Sequence, residues 1–447
     1  MAKRLFGTDG IRGVAGEPPL DPRTVGALGR ALGKDLVANG RGSSPVLIGM
    51  DTRESGPMIA AHLAQGLAAQ GVTSEFLGVV ATPGVAYLAR TGNYSAGVMI
   101  SASHNPFQDN GIKIFGHSGF KLPDHEEHEI EEEIFRQLES ETGQPPAPAM
   151  LQPNTGIAPY LDFLLSTLPA RLDGLRVVLD CGNGAASPHA AQVFRKAGAE
   201  VTSLFDEPDG RNINLGCGAV YPEKLRAAVI GAGAHAGVSF DGDADRAMLV
   251  APSGRIIDGD AMLLIVSRSM QAKGCLTGNE LVTTVMANIG LEKALAASGI
   301  AMVRTQVGDK YVLEEMLRRN AMLGGEQSGH VIFHQYATTG DGMLTGLQAL
   351  AVAAETGKSL DELASDLVVY PQLLVNVRVK ERRSLESLPG VNAEIRSCEA
   401  ELNGSGRVLV RYSGTEPLLR VMVEGPAMPL VKDLAERIAR AIRAELG

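Results

Sequence analysis

Short apolar runs alternate with longer segments whose apolar residues fall at helical spacing over most of the chain. Val46–Met50 and residues 76–80 and 98–100 read as buried strands. Residues 55–70 carry Ala, Leu and Met at helical spacing and stop at Gly71, which reads as a helix. Residues 112–115 form another strand, and residues 124–141 a charged helix with Ile130, Ile134 and Phe135 on one side. Gly143-Gln-Pro-Pro-Ala-Pro148 has the composition of a linker. A helix over 157–168 and strands over 175–179, 237–240 and 247–250 follow. Strand 281–285, helix 291–297, strand 302–304 and helix 308–319 come next. Past Tyr370 the pattern changes to alternating strands at 373–379, 408–410 and 418–423, closed by an amphipathic helix over 430–446.

This order predicts an α/β fold class: three successive α/β domains with mixed sheets, then a smaller C-terminal α+β domain. The boundaries fall at 1–152, 153–255, 256–369 and 370–447. Each of the first three segments presents one polar loop at a strand end, an architectural repeat with no residue-for-residue period. A chain of 447 residues also exceeds what one hydrophobic core supports.

Composition narrows the function classes. With 45% hydrophobic and 21% charged residues the chain is of ordinary globular type. A net charge of −10, no Trp and few aromatics exclude a general nucleic-acid surface, while local Arg and Lys clusters remain open to a phosphorylated small molecule. No stretch is long and apolar enough to span a bilayer, and the first residues lack an apolar signal core, so a cytoplasmic location and no membrane partner are expected. The cysteines at 181, 217, 275 and 398 are scattered and read as packing residues.

Between strands 98–100 and 112–115 lies Ser101-Ala-Ser-His-Asn-Pro-Phe-Gln-Asp-Asn-Gly111, dense in hydroxyl, amide and imidazole groups. Asp241, Asp243 and Asp245 alternate, so an extended backbone would project all three carboxylates the same way. Crowded carboxylates repel unless a cation sits among them, and hard oxygen ligands with room for a phosphate oxygen suit Mg²⁺. A calcium loop would need further ligands and a closing Glu. Other motifs dissolve on inspection. Gly182-Asn-Gly184 lacks the third glycine of a dinucleotide fingerprint, 29–34 is a helix with glycines, and His125 and His128 lack metal-helix spacing in an acidic, solvated run.

Ser-His-Asn-Pro at 103–106, followed by Asn110-Gly-Ile-Lys113, resembles the phosphoserine loop of the α-D-phosphohexomutases. Three more stretches resemble that family's signature loops in the same chain order: Asp241-Gly-Asp-Ala-Asp-Arg246 for the metal, Gly325-Glu-Gln-Ser-Gly-His330 for the sugar, and Arg411-Tyr-Ser-Gly-Thr-Glu-Pro417 for phosphate. The resemblance covers the whole chain, including Phe6-Gly-Thr-Asp-Gly-Ile-Arg-Gly13. It implies that the four domains surround a central cleft.

The resemblance also implies roles. Ser103 carries the transferable phosphate and joins Asp241, Asp243 and Asp245 around one Mg²⁺ per subunit, while His104 orients the loop. Arg12 and Arg246 supply guanidinium contacts to the phosphoserine. Lys113 is expected as general base and acid, its pKa depressed by metal and arginines, with His330 as runner-up. Glu326 and Ser328 meet sugar hydroxyls, and Asp309 and Lys310 complete the cleft. Arg411, Ser413, Gly414, Thr415 and Arg420 form an anion nest for the distal phosphate. Members acting on glucose or mannose phosphates typically carry Met or a second Glu where this chain has Gln327, and its loop is similar to that of amino-sugar members. The implied reaction interconverts glucosamine 6-phosphate and glucosamine 1-phosphate through a bisphosphorylated intermediate, toward UDP-N-acetylglucosamine. A phosphorylated amino sugar is the implied partner, with hexose bisphosphate or a kinase to prime Ser103. Homodimers occur among related enzymes, and no sequence feature here decides that point. The alternatives are a glucose or mannose phosphate specificity, a metal-dependent sugar phosphatase and a silent phosphosugar sensor.

Overall fold

The computed structural model describes residues 5–7, 9–140, 146–413 and 417–447. They divide into two compact units, one comprising Met1–Val285 and Val303–Ala364 and the other Met286–Met302 and Ser365–Gly447. In the first sheet β1 (Phe6–Gly7), β2 (Gly10–Val14), β3 (Val46–Met50), β4 (Ser74–Val79), β5 (Ala96–Ile100) and β6 (Asp109–Gly116) lie in the order β1-β2-β6-β5-β3-β4. Strand β3 runs parallel to β4 and β5, and the β6 side is antiparallel. The second sheet has β7 (Arg176–Asp180), β8 (Glu200–Leu204), β9 (Ala236–Phe240), β10 (Ala247–Val250) and β11 (Ile256–Ile257) in the order β11-β10-β9-β7-β8. The third joins β12 (Glu280–Thr284), β13 (Ala301–Thr305), β14 (Leu323–Gly325) and β15 (Val331–Phe333) in the order β13-β12-β14-β15. All three mix parallel and antiparallel neighbours or carry an antiparallel edge.

Every residue of β5 and of β9 is buried, as a strand covered by helices on both faces requires. Helix Gly342–Thr356 is buried through residue 353 and apolar nearly all round, which is why it carries no amphipathic signature in the sequence. It begins at Asp341, whose carboxylate accepts from Leu344 N at 3.0 Å and from the Tyr160 hydroxyl at 2.9 Å. The acidic helix Asp124–Ser140 is solvated along most of its length, with one carboxylate turned inward. Glu131 is buried and accepts the backbone N–H groups of Leu5 and Phe6, fixing the first strand.

The second unit holds β16 (Gln372–Arg378), β17 (Arg407–Tyr412) and β18 (Leu418–Glu424), antiparallel in the order β16-β18-β17. Helices Pro389–Leu402 and Met428–Leu446 pack on it through Val391, Leu402, Leu434, Ile438 and Ile442. Among the described residues no helix is long and apolar enough to cross a membrane.

The site loops follow β5, β9 and β14, each at the strand's carboxyl end, where α/β sheets place ligands. Helices Pro22–Ala38 and Gly56–Ala68 buttress the first sheet and cross at glycines. A Cβ on Gly66 would lie 2.3 Å from the Gly26 carbonyl oxygen, and one on Gly29 would lie 2.2 Å from that of Leu63. Gly66→Ala gains about 1 kcal/mol of helix propensity but drives two backbones apart, an overpacking cost of about 1–3 kcal/mol. We expect a net loss of stability, seen as a lower urea midpoint at unchanged slope; a midpoint at or above wild type would mean that the crossing relaxes freely.

Candidate active site

Ser103 sits in the turn between β5 and β6 with φ at +51°, in the left-handed region that a non-glycine residue occupies only when its surroundings hold it there. Those surroundings are built from the end of the neighbouring strand β3. Asp51 and Arg53 are buried together, with Arg53 Nε 2.8 Å from Asp51 Oδ2. The rest of the Arg53 guanidinium donates to the backbone carbonyls of Ser103 (2.9 Å), Asn105 (2.8 Å), Asp109 (2.9 Å) and Pro106. Ser101 is a strut, its hydroxyl donating to Asp51 at 2.5 Å and accepting the Ser103 N–H at 2.9 Å. From the second sheet's side, Asn214 Nδ2 reaches the same Ser103 and Asn105 carbonyls at 3.0 and 3.2 Å.

The Ser103 hydroxyl donates to Asp241 Oδ2 at 2.5 Å. Gly242 allows this approach, since a Cβ there would stand 2.4 Å from the Ser103 carbonyl oxygen. The three aspartates converge, with one ligand atom from each lying within 4.8 Å of the others, all buried. They do so differently from the extended backbone expected of their alternation. The loop is a turn in which Ala244 N donates to Asp241 O at 3.0 Å and Ala244 takes a φ of +56°. Burial and the charges of Asp245 and Asp243 push the Asp241 carboxyl well up. Asp243 Oδ1 and Asp245 Oδ1 are buried without hydrogen-bond partners among the described residues. Crowded carboxylates with unspent oxygens fit a hard metal ion.

Lys113, on β6, places its ammonium 2.9 Å from Asp243, 3.2 Å from Asp245 and 3.2 Å from Asp9. This corrects the expectation of a depressed lysine. Burial works to lower its pKa, but the carboxylates of Asp243, Asp9 and Asp245 outweigh it and hold the group well above the ordinary value. The left-handed turn at Ser103 brings His104 Nδ1 to 3.3 Å from the Ser103 hydroxyl, where an extended backbone would part the two neighbours. Burial, with Arg246 and Arg12 nearby, lowers the imidazole pKa, and Arg246 Nη1 lies 3.3 Å from the same Nδ1.

A cavity of about 420 Å³ opens beside this cluster, lined among others by Asp9, Arg12, His104, Arg246, Glu326 and His330. Asp309 also lines it and is bridged to Asp9 through Lys121 at 2.7 and 2.6 Å. His330 Nε2 accepts the Gly340 N–H at 2.9 Å, which places the ring proton on Nδ1, 3.7 Å from Asp245. Ser328 Oγ is buried without a hydrogen-bond partner among the described residues. Gln327 turns from the cavity toward Asp258, at 3.4 Å. The Lys310 ammonium pairs with Asp124 and lies outside the cavity lining.

In the second unit Arg411 and Arg420 stand directly opposite each other on β17 and β18. Burial and the like charge of Arg420 lower the pKa of Arg411. Ser413 is buried, and its carbonyl accepts from Arg382 at 2.7 Å. Gly414 and Thr415 lie outside the described residues. Sequence reasoning missed Asp9, Asp51, Arg53, Thr82, Lys121 and Asn214. The available signal was the Asp51-Thr-Arg53 pair of charges straight after the apolar run of β3.

Fold and site together define a multidomain α/β enzyme with a buried serine set against an acidic triad suited to a metal ion. Comparisons with known proteins give the class a name. Four domain profiles of phosphoglucomutase/phosphomannomutase match in order: α/β/α domain I at residues 3–141, domain II at 158–254, domain III at 258–370 and the C-terminal domain at 374–441. The phosphoglucosamine mutase of Solibacter usitatus is 57% identical over 447 residues, covering 100% of both chains. That of Koribacter versatilis is 50% identical, covering 100% of this chain and 98% of that protein. The crystal structure of a phosphoglucomutase/phosphomannomutase family protein from Burkholderia thailandensis superposes with a TM-score of 0.81 at 25% identity, covering 98% of this chain and 97% of that one. The chain belongs to the phosphoglucomutase/phosphomannomutase family, the α-D-phosphohexomutases.

Removing Arg53 would strand the Asp51 carboxyl and release four loop carbonyls at once. Arg53→Met is therefore expected to lower unfolding free energy by about 3–5 kcal/mol, the cost of breaking a buried ion pair from one side. Chemical denaturation of the purified variant checks this, and wild-type stability would show that the guanidinium is dispensable to the loop.

Proposed function

We propose that this protein is a phosphoglucosamine mutase, interconverting glucosamine 6-phosphate and glucosamine 1-phosphate in the cytoplasm, on the route to UDP-N-acetylglucosamine. The observation that carries the reading is the Ser103 hydroxyl, 2.5 Å from Asp241 inside a buried carboxylate triad. A serine so placed can bear a phosphoryl group whose charge a divalent cation shares.

Asp241, Asp243 and Asp245, with an oxygen on Ser103, would hold one Mg²⁺. When bound, the ion neutralises charge on the transferring phosphoryl group. Arg12 and Arg246 hold the phosphoserine; each has a buried Nε without a hydrogen-bond partner among the described residues, a donor left for phosphate oxygens. Phospho-Ser103 gives its phosphoryl group to the sugar hydroxyl, and the bisphosphorylated sugar turns over and returns its other phosphate to Ser103. Lys113 is assigned to carry the proton between the two half-reactions, a role open to it once a cation on Asp243 and Asp245 withdraws the charges that now hold its pKa up, with His330 on the cavity wall as the alternative.

Glu326 and Ser328 are assigned to sugar hydroxyls, with Asp309 and Lys310 on the same side. The facing pair Arg411 and Arg420, with Ser413, Gly414 and Thr415, is assigned to the second phosphate. Like charges opposed across two strands destabilise a sheet and favour an anion between them. A hexose bisphosphate or a kinase is assigned to priming, and the functional divisions to residues 152, 255 and 369.

The test is an assay of the full chain with glucosamine 6-phosphate, Mg²⁺ and a trace of hexose bisphosphate, reading the 1-phosphate product. Turnover is expected to exceed that on glucose and mannose 6-phosphates; release of inorganic phosphate in place of the isomer would make the protein a phosphatase. Ser103→Ala is expected to abolish turnover, and undiminished activity in that variant would refute the nucleophile. Chelation with EDTA is expected to stop the reaction and added Mg²⁺ to restore it; a chelator-insensitive rate would remove the metal from the mechanism.

A further inference from the structure

The acidic triad belongs to the loop after β9, yet one of its carboxylates is gripped from the first sheet's side. Thr82, the first residue of helix Thr82–Thr91, is fully buried and donates its hydroxyl to Asp243 Oδ2 at 2.6 Å. Its backbone N–H donates to the Asp243 carbonyl at 2.9 Å. The Lys113 ammonium takes the same Oδ2 at 2.9 Å. Two donors on one oxygen leave Oδ1 as the face of the carboxylate with no hydrogen-bond partner among the described residues, and it is buried.

We propose that Thr82 is a positioning residue of the cation site, its hydroxyl selecting which oxygen of Asp243 is presented to the ion. The proposal rests on reading the triad as a divalent-cation site. A carboxylate ligand turns readily about its last torsion, and a metal is held tightly only when an outer partner fixes that turn. Lys113 alone is a poor clamp, because its flexible ammonium is shared with Asp245 and Asp9. The Thr82 hydroxyl sits on a short stem whose branched Cβ restricts its rotation, at a backbone position tied to Asp243 by a second hydrogen bond. It therefore supplies the rigid half of the grip. The arrangement also makes cation affinity depend on the first sheet's helix being seated against the metal loop.

The experiment titrates Mn²⁺ into the metal-free full chain, reading free ion by electron paramagnetic resonance, for wild type, Thr82→Val, Thr82→Ala and Thr82→Ser. Both variants without the hydroxyl are expected to bind Mn²⁺ about 10- to 100-fold more weakly, the usual effect of deleting an outer partner of a ligand. Thr82→Ser is expected to stay close to wild type. Metal-free melting temperatures identify any variant that fails to fold, and the Val and Ala variants give two independent chances of a folded protein without the hydroxyl. Equal Mn²⁺ affinity in wild type and in a folded variant without the hydroxyl would overturn the role of Thr82. Failure of wild type itself to bind Mn²⁺ would overturn the cation-site reading beneath it.

Discussion

Negative charge at the centre of the larger unit is packed more tightly than its own cations balance. Lys113 faces three carboxylates with one ammonium, Lys121 is divided between Asp9 and Asp309, and Arg12 pairs with Asp9. The crowding drives the Asp241 carboxyl up, through burial and its two neighbours, and leaves Asp243 Oδ1 buried without a hydrogen-bond partner among the described residues, while Asp245 Oδ1 has Arg246 Nε at 3.8 Å and His330 Nδ1 at 3.7 Å. Burying charge in this way costs several kcal/mol per ion unless it is compensated. The crowding therefore suits the triad to a cation, beside Ser103, the one serine among the described residues whose backbone is in the left-handed region.

The rest of the unit can be read as the means of keeping that imbalance in register. Three sheets deliver three loops at strand carboxyl ends, and backbone contacts lock the loops to one another. Asp243 O accepts from Thr82 N at 2.9 Å, Gly329 O accepts from Ala247 N at 3.1 Å, and Ala244 O accepts from Gly342 N at 3.0 Å. The 241–246 loop is thus held by helix Thr82–Thr91 on one side and by the 326–330 loop and the start of helix Gly342–Thr356 on the other, with Gly242, Gly329 and Gly342 where a Cβ would meet backbone. Such rigidity suits phosphoryl transfer, where catalysis is mostly alignment and charge neutralisation.

The Ser103 loop shows how a strained residue is maintained. Arg53 spends both terminal guanidinium nitrogens on backbone carbonyls and its Nε on Asp51, which orients that guanidinium and anchors Ser101. None of these groups lines the cavity. The Ser103 hydroxyl, past the carboxyl end of an interior strand, is held in an uncommon backbone conformation by buried charges outside the cavity lining.

Much of this was legible in the order of residues. Strands such as Val46–Met50 and the helix around Leu63 follow from apolar periodicity, because burial on one face or two leaves a local pattern. The chemistry-bearing loops were legible as well, since serine, histidine and aspartate clusters between apolar runs stand out, and Ser103, Asp241, Asp243 and Asp245 do meet. What the sequence left undetermined depends on partners far away in the chain. The Lys113 pKa moves up because Asp9, Asp243 and Asp245 arrive from other segments, and His104 turns to the serine because Arg53 and Asn214 impose the turn. Helix Gly342–Thr356, buried nearly all round, leaves no periodic trace for local reading. Sequence alone thus pointed to Ser103 and the three aspartates and to the strands that carry them. Their protonation, their pairing and the outer residues that aim them were decided only by tertiary packing, because electrostatics and close approach act through space and not along the chain.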